Sequence, residues 1–352
     1  MKVLIPSDLK TMLNKGHDNP EFQFFPEENI KRIEGLFDEV IWNTTGRALT
    51  KEEMIEKVAD VDAIITCWGS GLIDADIVKA AKKLKIVAHM AGTVAPIVSP
   101  ELYDAGVKVI GANDHQFAES VAEGALAYML LSLRQLKRAG KFLDEGHEEG
   151  WRAFKAKREI RGILDKTVGL VSYGAIADHL ARMLQPFHCK IKVYSRTISD
   201  EKLKQYNMQR ASLEEIFSTC DVISIHTALN PNTEGMINKD LLKSIKDNAL
   251  LVNTARGGVI DEPAMIEELK TGRFFAVLDV LCKEPHPYEP GGLYDLENVI
   301  LIPHEGGPTP DRYKYIAQNI MDEVYDYLKN GTPLKSEIPK EKAMRMTGAK
   351  NK

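Results

Sequence analysis

Arg256, Asp279, Glu284 and His304 are the residues whose types and spacing best suit chemistry in this chain. Arg256 stands just beyond an apolar run in LLVNTARGGVIDE, with Gly257 and Gly258 after it. Asp279 ends the apolar run of AVLDVLCKEP, and Glu284 follows five residues on. His304 comes directly after the run and proline of VILIPHEGG. Singly, each has an ordinary explanation: an arginine in a glycine turn, an aspartate capping a helix, a histidine packed in a core. All three clusters, however, follow predicted strands of one sheet, at the ends where open α/β sheets bind ligands. Together they suit a 2-hydroxy or 2-keto acid. A guanidinium grips the carboxylate and polarises the adjacent keto oxygen with one planar fork. An imidazole that titrates near neutrality supplies the proton in reduction and removes it in oxidation. A carboxylate beside the imidazole would hold its tautomer, and a nicotinamide would carry the hydride.

These residues need a sheet to hold them, and the stretch from Thr167 to Arg196 starts it. The apolar run Val168 to Val171 ends in a glycine turn, helical spacing follows at Ile176, Leu180, Met183 and Leu184, and a second run covers Ile191 to Tyr194. Strand, turn, helix, strand is a βαβ unit, whose first turn can hold a pyrophosphate on helix N-terminal amides. The GxGxxG fingerprint of such turns is here Ser172, Gly174 and Ala177, so the middle glycine alone survives. At the end of the second strand, NAD users carry an acid for the ribose hydroxyls. This chain has Ser195-Arg196-Thr197, a neutral and basic set that suits a 2′-phosphate.

Further strands are expected at Val222 to His226, Leu250 to Asn253, Ala276 to Val280 and Val299 to Ile302. The first hundred residues alternate short apolar runs with helical patterns, including a helix after the cap Thr50, and read as a smaller α/β domain. A long apolar helix is expected from Ser120 to Lys137, a polar connector from Gly140 to Arg161, and a last amphipathic helix from Tyr313 to Leu328. The tail from Leu334 to Lys352 is lysine-rich and reads as a solvated, frayed end. The organisation expected is residues 1–111 with 306–352 as a substrate domain and 112–305 as a dinucleotide domain inserted between them. Hinges would fall near Ile110 to Asn113 and His304 to Pro308, closing a cleft.

Bulk properties exclude several classes. At 352 residues the chain can build two cores, and its net charge of −5 gives no general attraction to nucleic acid or anionic membrane. The longest apolar stretch, Ala125 to Leu133, is about half of the ~20 residues that span a bilayer. MKVLIPSD enters a strand at once, without a signal-peptide core. The four cysteines form no CxxC pair, which favours free thiols over a zinc site, and a cytoplasmic location. No metal is expected.

TVGLVSYGAIA, DVISIHTALNPNTEGMIN, LLVNTARGGVIDE, LDVLCKEP and NVILIPHEGG, in that order, resemble the signature blocks of the D-isomer-specific 2-hydroxyacid dehydrogenases. The resemblance covers nearly the whole chain. It implies two doubly wound α/β domains, a Rossmann-type nucleotide domain inserted into a smaller flavodoxin-like substrate domain. It implies Arg256, Glu284 and His304 as the catalytic set, with Asp279 on the nicotinamide carboxamide. Cofactor contacts are expected from Tyr173, Gly174, Ala175 and Ile176 in the turn, from Ser195, Arg196 and Thr197, and from His226 and Thr254. HMAGTV is similar to the family's carboxylate-binding loop, which implies substrate contacts at Gly92 and Thr93 alongside Arg256. The family is commonly dimeric through its nucleotide domain, which implies a homodimer here.

The expected activity is hydride transfer between a nicotinamide cofactor and a 2-keto or D-2-hydroxy acid, with NADP favoured over NAD by the Ser195 loop. Two rivals stand beside it. Transcriptional corepressors resemble the same family, so a dinucleotide-binding sensor without turnover is one. An idle scaffold, motivated by the missing fingerprint glycines, is the other.

Overall fold

The computed structural model describes residues 1–9, 13–14, 18–112, 116–157 and 159–346. The hinge residue Asn113 and the last part of the tail lie outside the described residues. The chain divides into two compact units, Met1–Ser120 with Pro308–Lys352, and Val121–Gly307. The first junction thus falls at Ser120, inside the helix Gln116–Leu133, rather than at residue 111, and the second at Gly307 rather than 305.

In the first unit, strands β1 (Lys2–Asp8), β2 (Glu39–Asn43), β3 (Ala63–Thr66), β4 (Ile86–His89) and β5 (Lys108–Gly111) form one sheet in the order β2-β1-β3-β4-β5. Every pairing is parallel. Such strands are covered on both faces and read as unbroken apolar runs, as AIIT and IVAH do. The core on one face joins Leu4, Ile64, Val87 and Val109 to Met54, Ile77 and Leu102 of the covering helices. Thr50 caps the helix Lys51–Lys57 in a reciprocal box: its hydroxyl accepts the Glu53 amide and the Glu53 carboxylate accepts the Thr50 amide.

The tail departs from the frayed end expected of it. Glu323 accepts the amides of Lys335 and Ser336 at 2.7 and 2.9 Å and the Ser336 hydroxyl at 2.6 Å. The chain then pairs antiparallel with β5, Ile338 donating to the Val109 carbonyl at 2.8 Å, and Ile338 is 3% exposed. Ile338 and Ala343 are buried in the core, Met344 and Met346 pack against it, and Lys340 pairs with Asp104 at 2.6 Å.

The second unit holds β6 (Thr167–Val171), β7 (Lys190–Tyr194), β8 (Gln209–Arg210), β9 (Val222–Ile225), β10 (Leu250–Asn253), β11 (Phe275–Leu278) and β12 (Val299–Leu301). Their order is β12-β11-β10-β9-β6-β7-β8, again all parallel. The direction of winding reverses between β6 and β9, and that switch point is where a doubly wound sheet opens a crevice at its carboxyl edge.

The polar connector is also corrected. It is helical, Leu136–Lys157, broken by a kink at His147. At the kink the chain folds back so tightly that a Cβ on Gly150 would lie 1.8 Å from the Phe142 carbonyl oxygen, and Phe142 meets Phe154 ring to ring at 5.9 Å. Three glycines lower its helix propensity, while Glu148 and Arg152, one turn apart, are the pairing that reveals it.

Candidate active site

Three strand ends of the second unit assemble the reactive residues. Asn253 closes β10 and organises the turn after it: its carboxamide oxygen accepts the Ala255 amide at 3.0 Å and its nitrogen donates to the Arg256 carbonyl at 3.1 Å. Gly257 then passes so close to the next loop that a Cβ would stand 2.0 Å from the Leu281 carbonyl carbon. Arg256 is half-buried, with Nη1 donating to the Ala255 carbonyl at 2.6 Å. Burial holds its pKa below the ordinary value, against the charge of Glu284, which favours the cation.

Asp279, one residue beyond β11, is 2% exposed. Its Oδ1 accepts the amides of Glu305 and Gly306, both at 2.8 Å, and its carbonyl accepts the His304 amide at 3.0 Å. A Cβ at Gly306 would lie 2.6 Å from Oδ2, so this turn requires glycine. Burial raises the Asp279 pKa; the two amides and His304 oppose that shift without cancelling it. Asp279 thus shapes the turn that carries His304.

His304 has a left-handed backbone, φ 56°, uncommon outside glycine. Its Nδ1 stands 2.6 Å from Glu284 Oε2, while Glu284 Oε1 accepts the Leu281 amide at 3.0 Å. Burial pushes the Glu284 pKa up, but the His304 hydrogen bond, the Leu281 amide and the charges of His304 and Arg256 prevail and hold it below the ordinary value. A carboxylate on Nδ1 fixes the tautomer that carries its proton there and leaves Nε2 to exchange a proton with substrate. The structure therefore brings Glu284 and His304 together directly, with Arg256 close enough to act on Glu284 through its charge.

The candidate dinucleotide residues lie at the switch point. Ser172 follows β6 with φ 76°, a left-handed conformation at the first fingerprint position. Gly174 precedes the helix Ala175–Leu184, which has no side-chain cap, and a Cβ on Gly174 would meet nothing within 4 Å. An uncapped N-terminus in open space, with Ala175 and Ile176 as its first residues, fits a phosphate. Tyr173 donates to Asp178 at 2.7 Å, and Asp178 pairs with Lys202. Just beyond β9 and β10, His226 Nε2 and Thr254 Oγ1 are buried without a hydrogen-bond partner. Burial pushes the His226 pKa down to about 4, so the ring is neutral. Orphaned polar atoms at the switch point, beside an open phosphate turn, fit a dinucleotide.

At the ribose position, Ser195 Oγ accepts the amides of Thr197 and Ile198, both at 3.2 Å, which leaves its own proton to donate. Arg196 and Thr197 are exposed. In the first unit, Gly92 and Thr93 are half-buried on the loop after β4, and Thr93 Oγ1 accepts the Ala95 amide at 3.4 Å.

Two residues beside the site had not been singled out in the sequence. Glu262 Oε2 accepts the Cys282 amide at 2.9 Å, and Oε1 faces His286 Nε2 at 3.3 Å. The available signal was modest: a histidine two residues past Glu284, and a glutamate opening the helix after the Arg256 turn.

Comparison with known proteins accords with this architecture. Residues 126–306 match the model described as D-isomer specific 2-hydroxyacid dehydrogenase, NAD binding domain. The glyoxylate reductase of Pyrococcus furiosus is 32% identical over 317 residues, covering 88% of this chain and 91% of that one. The hydroxypyruvate reductase of Thermotoga maritima is 32% identical over 286 residues, covering 81% and 90%. The D-mandelate dehydrogenase of Rhodotorula graminis shares the fold, with a TM-score of 0.79 at 23% identity over 96% of this chain and 98% of its own. Fold and site define a two-domain oxidoreductase with a Rossmann-type sheet. Within that class, the chain belongs to the D-isomer specific 2-hydroxyacid dehydrogenase family. It is an enzyme that transfers a hydride between a nicotinamide cofactor and a 2-keto or D-2-hydroxy acid, and the sensor reading is not favoured. Among the described residues, no helix is long and apolar enough to cross a membrane.

Proposed function

We propose that the protein reduces a small 2-keto acid, of the glyoxylate or hydroxypyruvate class, to the hydroxy acid at the expense of NADPH. The observation that carries this reading is the 2.6 Å contact of His304 Nδ1 with Glu284 Oε2. Bound nicotinamide supplies the hydride. Arg256 grips the substrate carboxylate and polarises the keto oxygen. As hydride reaches the keto carbon, the oxygen gains charge and takes the proton of His304 Nε2. Glu284 stabilises the imidazolium before transfer. Tyr173, Gly174, Ala175 and Ile176 hold the pyrophosphate, and His226, Thr254 and Asp279 face the nicotinamide half.

Support for NADP is local: Ser195 retains a free donor, and Arg196 is exposed beside it. Support for a homodimer comes from Leu136, Trp151, Ile160 and Leu164, between 51% and 61% exposed on one segment of the nucleotide unit. Cytoplasmic residence accords with four cysteines that form no CxxC pair. The units 1–120 with 308–352 and 121–307 are assigned to substrate and dinucleotide respectively. The test is cofactor fluorescence titration followed by a screen of 2-keto acids with NADPH and NADH. Turnover of small keto acids is expected; cofactor binding with no turnover on any acid would refute the reading.

A further inference from the structure

We infer that Glu262 is a positioning residue for proton transfer, clamping the chain on both sides of Glu284 so that Glu284 meets His304. The inference rests on the catalytic reading of Glu284 and His304 and deepens it.

Glu284 sits on an exposed loop after β11, whose own Leu281 amide donates to Oε1 at 3.0 Å. The loop is held further from the neighbouring strand's connection. Glu262 is the first residue of the helix Glu262–Lys270, which Asp261 caps through the Ala264 amide at 3.1 Å. The Asp261 amide is itself tied to the Ile237 carbonyl at 3.0 Å. A side chain leaving that position has a rigid base. Its carboxylate is 12% exposed and divides its oxygens between two points of the loop. Oε2 takes the Cys282 amide at 2.9 Å, two residues before Glu284, and Oε1 faces His286 Nε2 at 3.3 Å, two residues after it.

His286 is built for this contact. Its side chain is 9% exposed, Nδ1 lies 2.8 Å from the Pro287 carbonyl, and the Tyr294 hydroxyl donates to its own carbonyl at 3.0 Å. A carbonyl accepts only, so Nδ1 carries the proton toward Pro287, and Nε2 is the ring atom that faces the Glu262 carboxylate. The remaining ionisable neighbours are Asp261, Glu234 and the Cys282 thiol near Glu262, and His304, Arg256 and Asp279 near Glu284. Burial, followed by Glu262, pushes the Cys282 thiol up to about 11, so it stays protonated and adds no competing anion. One carboxylate thereby ties down both flanks of another, and the close passage of Gly257 under Leu281 fixes the loop's base.

The test uses the full-length enzyme and reads kcat, KM and the pH profile of keto-acid reduction, with cofactor affinity from fluorescence. Glu262→Ala should lower kcat by about tenfold to a hundredfold, the effect of misplacing a reacting group by around an ångström. The alkaline limb should move toward lower pH, because an imidazolium without a carboxylate neighbour loses its proton sooner. Cofactor affinity should hold. Glu262→Gln, which keeps an oxygen for the Cys282 amide, should regain most of the loss. If Glu262→Ala does not fold, His286→Ala removes one of the two clamps, and a severalfold fall in kcat with the same limb shift is expected. Glu284→Gln is the reference. A normal kcat and unshifted limb in the clamp variants, with Glu284→Gln impaired, overturns the inference alone. If Glu284→Gln is also normal, the catalytic reading falls and takes the inference with it.

Discussion

His304 Nδ1 and Glu284 Oε2 lie 2.6 Å apart although their residues belong to loops after two different strands, β12 and β11. Parallel pairing of Leu278 with Leu301 sets those strand ends level, so two short excursions suffice to bring the side chains together. The imidazole is thereby left with one free nitrogen. Replacing His304 by Ala removes the proton donor and should lower turnover by roughly 10²-fold or more while cofactor binding is retained. Steady-state kinetics with fluorescence titration checks this, and wild-type turnover would defeat the assignment.

Arg256→Lys keeps a positive charge but loses the planar fork. A rise in KM with a fall in kcat is expected, jointly about tenfold or more in kcat/KM, since one charge-assisted contact contributes ~1.5–3 kcal/mol. An effect confined to cofactor affinity would move Arg256 into the nucleotide site.

Cofactor choice rests on the loop after β7. One charge-assisted contact from Arg196 to a 2′-phosphate should favour NADPH by about tenfold or more, since ~1.4 kcal/mol is a factor of ten. Ser195→Asp should reverse that preference, because an acid repels the phosphate and accepts from free ribose hydroxyls. The ratio of kcat/KM with the two cofactors decides it, for wild type, Ser195→Asp and Arg196→Ala. A preference for NADH that neither substitution moves would show that this loop does not read the ribose.

Acid stability should report His89, at the end of β4. The ring is 4% exposed with Nδ1 2.9 Å from the Thr66 hydroxyl, and burial pushes its pKa down from 6.5 to about 4. The unfolded chain takes up a proton that the folded chain refuses, so stability is full above pH 6.5 and declines as pH falls toward 4. The slope from this one group is about 1.4 kcal/mol per pH unit. Urea unfolding across that range should give a flatter dependence for His89→Gln than for wild type. Parallel curves would remove His89 as the cause.

The docked tail gives a fifth expectation. Ile338 is 3% exposed against β5, and its Cδ1 would lie 2.7 Å from a Cβ placed on Gly111. Ile338→Ala should cost about 2–4 kcal/mol of stability, in the range of buried aliphatic truncations. A loss below ~0.5 kcal/mol, typical of surface positions, would mean the segment is detached in solution.

The sheets were readable in the sequence because parallel strands buried on both faces are continuous apolar runs, as LLVN and AVL are. The reactive residues were readable because they stand at the ends of those runs. Other features left weaker marks. The helix Leu136–Lys157 exposes Leu136 and Trp151 and contains Gly140, Gly146 and Gly150, so neither a buried stripe nor propensity announces it. The tail's docking depends on Glu323 accepting its backbone, a contact no local pattern encodes. The junction shifted from residue 111 to Ser120 because the first turns of Gln116–Leu133 pack with the first unit, whereas the apolar run of that helix is continuous. The Glu262 clamp joins residues 20 apart through a backbone amide, and sequence spacing carries no trace of it.

β5 forms one edge of the first unit's sheet, and an edge of bare amides and carbonyls is a template on which other chains can grow. The returning segment occupies that edge: Ile338 donates to Val109, and Gly111 donates to the Ser336 carbonyl at 3.3 Å. Pro339 follows at once and has no amide with which to extend the pairing. The Ser336–Ile338 stretch thus acts as a cover against self-association. A chain shortened before Ser336 would be expected to lose the stability that Ile338 contributes and, with the β5 edge uncovered, to turn cloudy on concentration as well.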